Sequence, residues 1–272
     1  MIKTNLIQCE KVLAKTGIEI APYAVNPYRG CEFGCLYCYS QKNKCFKKNN
    51  AEWGSFVDIK INCVELLAKE LKSIKPERVL IGSTTEVYQQ AEEKYCLTRG
   101  AIELLNSNNI PMTILTKSAL IERDIDVLKN AKVCFTINLH ADRLIKKYEK
   151  NSPSIGERLK TLQILKENNI QAYVHIGPIF PEIADVGKIL EMVYGLTDRV
   201  NFESFNYWMC PKENIPKLLP SEEIFLDERK YNEYWQNLKM KIISLNKKFN
   251  YKITFFFRPF NKFWASSDEM AQ

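Results

Sequence analysis

Apolar positions along the chain follow two periods. Short runs rich in β-branched and aromatic residues read as strands at Ile20–Asn26, Arg78–Ser83 (RVLIGS), Pro111–Thr116, Val133–Asn138 (VCFTIN), Ala172–Gly177, Val200–Phe205 and Ile253–Phe257. Between them, apolar residues recur at helical spacing. Val64, Leu67 and Leu71 share a face in residues 63–74, and Ile155, Leu159, Leu162 and Leu165 do so in Ser154–Glu167. Further helices are expected at Leu97–Leu105, Ala119–Leu128, Val186–Tyr194 and Tyr231–Leu245, and a turn at Pro27–Gly30. Strand and helix alternate about six times, which predicts right-handed βαβ units on a parallel sheet. The expected fold is α/β, a partial (β/α)6 barrel with ligands at the carboxyl ends of its strands. No linker, repeat or low-complexity stretch interrupts the pattern. Residues 1–272 are therefore read as one domain, with 1–19 an N-terminal extension and about 210–272 completing the barrel on the substrate side.

Composition narrows the class only a little. The chain is 46% hydrophobic and 26% charged, ordinary values for a globular protein. No run of about 18 uncharged apolar residues predicts a spanning helix. The first residues, MIKTNLIQCEKVLAK, lack the apolar core of a secretory signal, so a cytoplasmic location is expected. Nine cysteines, an odd number, then point to metal or cluster ligation or to plain burial rather than to disulfides. The net charge of +7 permits a polyanionic partner without requiring one. Its sharpest local source is Gln41–Asn50, with Lys42, Lys44, Lys47 and Lys48, which reads as a solvated loop or as a phosphate contact.

The chemistry concentrates in Asn26–Ser40, NPYRGCEFGCLYCYS. Cys31, Cys35 and Cys38 are separated by three and then two residues, so one loop can turn three soft thiolates toward one small object. A four-iron cluster on three cysteines keeps one iron open for a ligand. Zinc would ask for a fourth ligand in a second knuckle. Cys9, Cys45, Cys63, Cys96, Cys134, Cys210, His140 and His175 form no such knuckle, and the spacing favours the cluster. Gly30 and Gly34 flank the cysteines and allow close backbone approach.

This spacing resembles that of the radical S-adenosylmethionine superfamily. The wider segment is similar to the branch that contains spore photoproduct lyase and the proteins often called DNA repair photolyases. Gly82–Tyr95 (GSTTEVYQQAEEKY), Leu115–Ile125 (LTKSALIERDI), Phe135–Leu159 and, more weakly, Pro178–Asp185 (PIFPEIAD) carry the likeness in the family's order. The resemblance implies a [4Fe–4S] cluster on Cys31, Cys35 and Cys38, with S-adenosylmethionine chelating the open iron. It implies reduction by a flavodoxin- or ferredoxin-type donor and a 5′-deoxyadenosyl radical that abstracts hydrogen. It places Tyr37 by the adenine and Ser83, Thr84, Thr85 and Glu86 by the methionine amino group. Lys117 falls at the carboxylate, and Asn138 at the ribose or carboxylate. Arg158 would meet the carboxylate as a planar fork, and Gly177 and Pro178 would lie against the adenine. Set against these roles, Lys117 and Arg158 read alone are an exposed lysine and a surface arginine.

Glu203, Asn206, Trp208 and Cys210 follow or end the sixth strand and are candidates to touch substrate, with a free loop cysteine as the alternative reading of Cys210. Serine stands at position 83, where the resemblance places the lyase's hydrogen-donating cysteine, and Glu86-Val87 replaces the relatives' usual Asp-Pro. A serine O–H bond is too strong to donate a hydrogen atom, so the lyase reaction is not expected. The substrate is a nucleic-acid base by family analogy, or a peptide or small metabolite. A zinc-stabilised nucleic-acid-binding module, using 13 tyrosines, 14 phenylalanines, 4 tryptophans and the basic loop, is the alternative from another class.

Overall fold

The computed structural model describes residues 2–43 and 51–261 and the backbone of Ser266–Glu269. Lys44, Cys45, Lys47 and Lys48 of the basic loop lie outside the described residues. The chain opens with β1 (Lys3–Ile7), β2 (Leu13–Lys15), β3 (Tyr23–Val25), β4 (Tyr28–Gly30) and β5 (Phe56–Lys60). It continues through β6 (Val79–Ile81), β7 (Met112–Thr116), β8 (Ala131–Thr136), β9 (Gln171–Ile179), β10 (Arg199–Ser204), β11 (Lys252–Phe257) and β12 (Ser266–Glu269).

The main sheet runs β12-β11-β10-β9-β8-β7-β6-β3-β2. From β3 to β11 every neighbouring pair is parallel, and only the two edges, β2 and β12, are antiparallel. The seven runs read as strands from their apolar pattern are these seven parallel strands. The sheet is open: among the described residues no pairing joins β12 to β2.

Alternation along the strands makes two faces. Val79, Ile114, Phe135, Ile176 and Phe202 are fully buried in the main hydrophobic core, together with Leu67, Leu71, Ala101, Leu162 and Leu165 of the crossover helices. Leu80, Leu115, Cys134, His175, Glu203 and Phe256, one from each of six consecutive strands, line a single chamber of about 490 Å³. Six strands can face one chamber only if the sheet curls around it.

The helices at Cys63–Ser73, Leu97–Ser107, Ile155–Glu167, Val186–Met192 and Glu228–Phe249 match the periodic segments. Ser154 and Glu157 form a capping box that starts the third of these, satisfying two orphan amides reciprocally. Ala119–Val127, expected as an α-helix, is a 3₁₀-type segment kinked at Asp124. That carboxylate is buried and held by Arg99 and Arg123, so side-chain anchoring overrides the helical repeat. No helix among the described residues is long and apolar enough to cross a membrane.

A smaller sheet, β1-β5-β4, positions the cysteine loop. Pro27–Gly30, expected as a turn, instead contributes β4, antiparallel to β5. The cause is non-local: Asp58 of β5, almost fully buried, grips Arg29 at 2.6 Å. Asp58 also breaks the apolar run of β5, which hides that strand from pattern reading.

Candidate functional site

The cysteine loop leaves β4 through Gly30, whose φ of +86° lies in the left-handed region. A Cβ there would overlap the carbonyl and ring of Phe56. Gly30→Ala is therefore expected to cost about 2–4 kcal/mol from backbone strain and overpacking together. The check is the midpoint of urea unfolding, and an unchanged midpoint would contradict this account of the loop.

Cys31 and Cys35 are buried, Cys38 is half-buried, and the three thiols face one cavity at the carboxyl ends of the strands. Burial pushes all three thiols above their ordinary range, Cys35 to about 11. Donors approach two of the sulfurs. The Glu86 amide lies 3.5 Å from Cys31 Sγ, and Lys117 Nζ lies 3.8 Å from Cys35 Sγ. Among the described residues, no three His, Cys, Asp or Glu side chains converge tightly enough to hold one metal ion. A cubane presents its irons at separate corners, so a wider set of thiols is what it needs.

The loop after β6 is fastened beneath the cysteine loop. Thr85 Oγ1 donates to Gly30 O at 2.5 Å, the Glu32 amide donates to Gln89 Oε1 at 3.1 Å, and the Gln90 amide donates to the Glu32 carboxylate. Ser83 and Thr84 line the cavity and are pinned by Asn26, which donates to Ser83 Oγ at 2.9 Å and accepts from the Thr84 amide at 2.9 Å. The Glu86 carboxylate turns toward β7. It accepts from Thr116 Oγ1 at 2.5 Å and from the amides of Tyr88 and Lys117 at 3.0 and 3.1 Å. Burial raises its pKa against these hydrogen bonds.

A charged cluster sits beside Cys35. Lys117 Nζ donates to Tyr37 Oη and to Glu149 Oε1, both at 2.6 Å. The Glu149 carboxylate also accepts from the Tyr37 hydroxyl and from the Arg158 guanidinium. Glu149 and Arg158 are essentially inaccessible to solvent, so the surface-arginine reading of Arg158 does not hold, and Lys117 is largely covered as well. Burial alone would raise the Glu149 pKa, but the two adjacent cations hold the carboxyl well below its usual range. For Lys117, burial opposes the charge while Cys35 and Glu149 favour it, and the net shift is upward. Asn138 is buried behind Tyr37 and reaches its hydroxyl at 3.4 Å.

A second cluster lies further round the sheet. His175 Nε2 is 3.1 Å from Glu203 Oε2, and Arg258 pairs with the other oxygen of Glu203. Burial would raise the Glu203 pKa, but the His175 hydrogen bond and Arg258 bring it down to about 2. The register between β9 and β10 slips beyond Phe202, which gives β9 one extra residue at Gly177–Pro178, joined by a cis peptide. Gly177 leaves room for this contact, since a Cβ there would overlap His175 Nε2 and Glu203 Cβ.

Most candidate residues therefore gather at one place. Cys31, Cys35, Cys38, Tyr37, Ser83–Glu86, Lys117, Gly177, Pro178, Glu203 and Asn206 all line the cavity. Asn138, Arg158, Trp208 and Cys210 do not. Trp208 packs among Tyr231, Phe225 and Phe260, and Cys210 is fully buried with its thiol at the Pro211 carbonyl, 3.6 Å away. Sequence reasoning missed Glu149, Arg258, His175 as a chamber residue, and Tyr39, which lines the cavity and donates from its hydroxyl to the Ser83 carbonyl. The first lies inside a stretch quoted for its likeness, but Lys146, Lys147 and Lys150 around it give the look of a solvated face.

A profile of the radical SAM superfamily matches residues 25–193, more than half of the chain. The chain belongs to the radical SAM superfamily. An uncharacterized protein of Methanocaldococcus jannaschii is 34% identical over 203 residues, covering 74% of this chain and 76% of that one. An uncharacterized protein of Mycobacterium tuberculosis is 28% identical over 207 residues, covering 70% of this chain and 61% of its own length. Spore photoproduct lyase of Clostridium acetobutylicum is 22% identical over 220 residues, covering 76% and 63%. Among solved structures, spore photoproduct lyase complexed with dinucleoside spore photoproduct superposes with a TM-score of 0.69 at 16% identity, covering 93% of this chain and 82% of that one. A mutant of that lyase with bound AdoMet and the same dinucleoside gives 0.69 at 15% identity, covering 95% and 82%. The fold is thus that of spore photoproduct lyase. A radical SAM protein with this fold is an enzyme, and its family implies a [4Fe–4S] cluster and S-adenosylmethionine.

Proposed function

We propose that Cys31, Cys35 and Cys38 hold the cluster and that S-adenosylmethionine binds over it, for hydrogen abstraction from a substrate at the carboxyl ends of the strands. The observation that carries this reading is the set of three thiols facing one cavity, with N–H donors at two of the sulfurs. Bound together, the two cofactors supply a 5′-deoxyadenosyl radical. This chain's residues bind, orient and exclude water. Lys117 and Arg158 against Glu149 leave one net positive charge beside Cys35, suited to the cofactor's carboxylate. Arg158, wholly buried, acts through Glu149 rather than by contact. Ser83 and Thr84 present hydroxyls to an ammonium, while Glu86 ties their loop to β7. Tyr37, Gly177 and Pro178 complete the adenosine side, and Asn138 acts from behind Tyr37 through its hydroxyl. A flavodoxin or ferredoxin supplies the electron.

Likeness to spore photoproduct lyase supports a nucleic-acid substrate, with a peptide or small metabolite as the second reading. Anaerobically reconstituted protein is expected to be brown, to carry about four irons, and to form 5′-deoxyadenosine with dithionite. A colourless preparation containing zinc would overturn the proposal in favour of a zinc module. With a spore photoproduct dinucleotide, no efficient repair is expected, because Ser83 cannot quench a substrate radical by hydrogen donation. Chromatographic detection of thymidylyl-thymidine over many turnovers would refute that part.

A further inference from the structure

The stretch that follows β8 carries a ridge of cations without ion-pair partners. Arg143, Lys146 and Lys147 sit at i, i+3 and i+4 of the helix Asp142–Tyr148, and Lys150 follows just past its end. All four are exposed, Lys147 lies over the Tyr148 ring at 4.9 Å, and none is paired with a carboxylate among the described residues. Other exposed cations of the chain are matched: Lys69 by Glu65, Lys230 by Glu223 and Lys248 by Glu191. Like charges at helical spacing repel, so the ridge costs stability until an acidic partner covers it. Its place in the fold says which partner. The Leu36 amide donates to the Tyr148 carbonyl at 2.9 Å, the Asn151 amide to the Phe33 carbonyl at 3.4 Å, and the Asn151 side chain to the Glu32 carbonyl at 2.6 Å. The ridge is thus clamped to the backbone between Cys31 and Cys38, the segment that carries the thiols. Glu52 beside Trp53 and Glu93 near Glu32 are exposed carboxylates close to the same loop, and they offset part of the charge. None of the four cations lines the thiol cavity or the chamber, so they lie outside the substrate's seat.

We infer that Arg143, Lys146, Lys147 and Lys150 dock an acidic one-electron donor protein over the cysteine loop, so that the electron arrives from outside while substrate occupies the chamber. The step moves one electron. The donor's reduced flavin or iron–sulfur centre is oxidised, the cluster held by the three thiols is reduced, and no bond in this chain forms or breaks. The inference rests on the radical SAM reading for the centre that is reduced, but not for the docking itself.

The probes are an acidic flavodoxin and, as a polyanion of another class, a single-stranded oligodeoxynucleotide. Both are titrated calorimetrically into the reconstituted holoprotein at low salt. Combining Arg143→Glu, Lys146→Glu, Lys147→Glu and Lys150→Glu is expected to weaken flavodoxin binding roughly 10- to 100-fold and to flatten its salt dependence. The control combines Lys72→Glu, Lys75→Glu, Lys129→Glu and Lys132→Glu, an equal change of charge at exposed positions near the amino ends of β6 and β8. Screening of distant charges is expected to hold its affinity within about twofold of wild type. The ridge variant is expected to keep full iron and wild-type formation of 5′-deoxyadenosine with dithionite, a small reductant that needs no docking. With limiting reduced flavodoxin it is expected to slow by the same factor as the binding. Should reversal disturb the loop and lose iron, changing the four cations to glutamine only removes the charge and carries the test, with a loss of roughly 3- to 10-fold. Unchanged binding in the ridge variant, equal losses in ridge and control variants, no binding of flavodoxin by wild type, or a loss for the oligonucleotide but not for flavodoxin overturns the inference. Absence of 5′-deoxyadenosine from wild-type protein with dithionite would sink the radical reading and leave the docking titrations standing.

Discussion

Replacing Glu149 by alanine is expected to destabilise the protein by roughly 3–5 kcal/mol, the range for breaking a buried ion pair from one side. Two cations, Lys117 and Arg158, lose their shared counter-charge, and Arg158 has no access to water that could substitute. Thermal and urea unfolding would both report the loss. Glu149→Gln keeps the shape and an acceptor for Lys117 but removes the charge, so it is expected to be milder. In both variants S-adenosylmethionine titrations are expected to weaken while iron content stays full, because Lys117 and Tyr37 lose the group that aligns them. Glu103→Ala, which removes a half-exposed partner of Arg99 on a helix surface, is expected to cost at most about 1 kcal/mol. If Glu149→Ala behaves like Glu103→Ala, the buried cluster is not the structural unit described here.

The second large effect concerns the thiols. Cys31→Ala, Cys35→Ala or Cys38→Ala is expected to abolish cluster binding, read as loss of brown colour and of iron in the reconstituted protein. Three ligands are the minimum for a cluster with one open iron, so any single loss leaves two. Cys9, Cys63 and Cys134 serve as controls and are expected to leave iron unchanged. Cys63 and Cys134 are fully buried elsewhere in the core and wall, and Cys9 bonds to Asn62. A Cys35→Ala protein that takes up full iron and forms 5′-deoxyadenosine would remove Cys35 from the ligand set.

Legibility in the sequence followed the range of the forces involved. The seven parallel strands and the long helices were readable because each repeats an apolar pattern that its own residues carry. The small sheet was not: β4 looked like a turn, and Asp58 disguised β5. Their pairing depends on an ion pair between residues 29 and 58, whose value exists only once the two strands meet.

The site divides in the same way. The triple-cysteine spacing is local, and one loop with that spacing presents three thiols together whatever surrounds it. By itself the sequence thus determined the α/β class, the parallel strands whose carboxyl ends carry Ser83, Lys117 and Glu203, and the thiol spacing. Tertiary structure alone decided which charged side chains are buried. Glu149 reads as part of a solvated lysine-rich stretch, and Arg158 as a helix-surface arginine. Packing against Tyr37 and Lys117 turns them into a buried pair beside Cys35. The same holds for His175, Glu203 and Arg258, which lie on β9, on β10 and just past the end of β11, far apart in sequence. Pattern reading cannot see such clusters, because the low-dielectric surroundings that give these pairs their strength are created by the fold and are absent from any single segment.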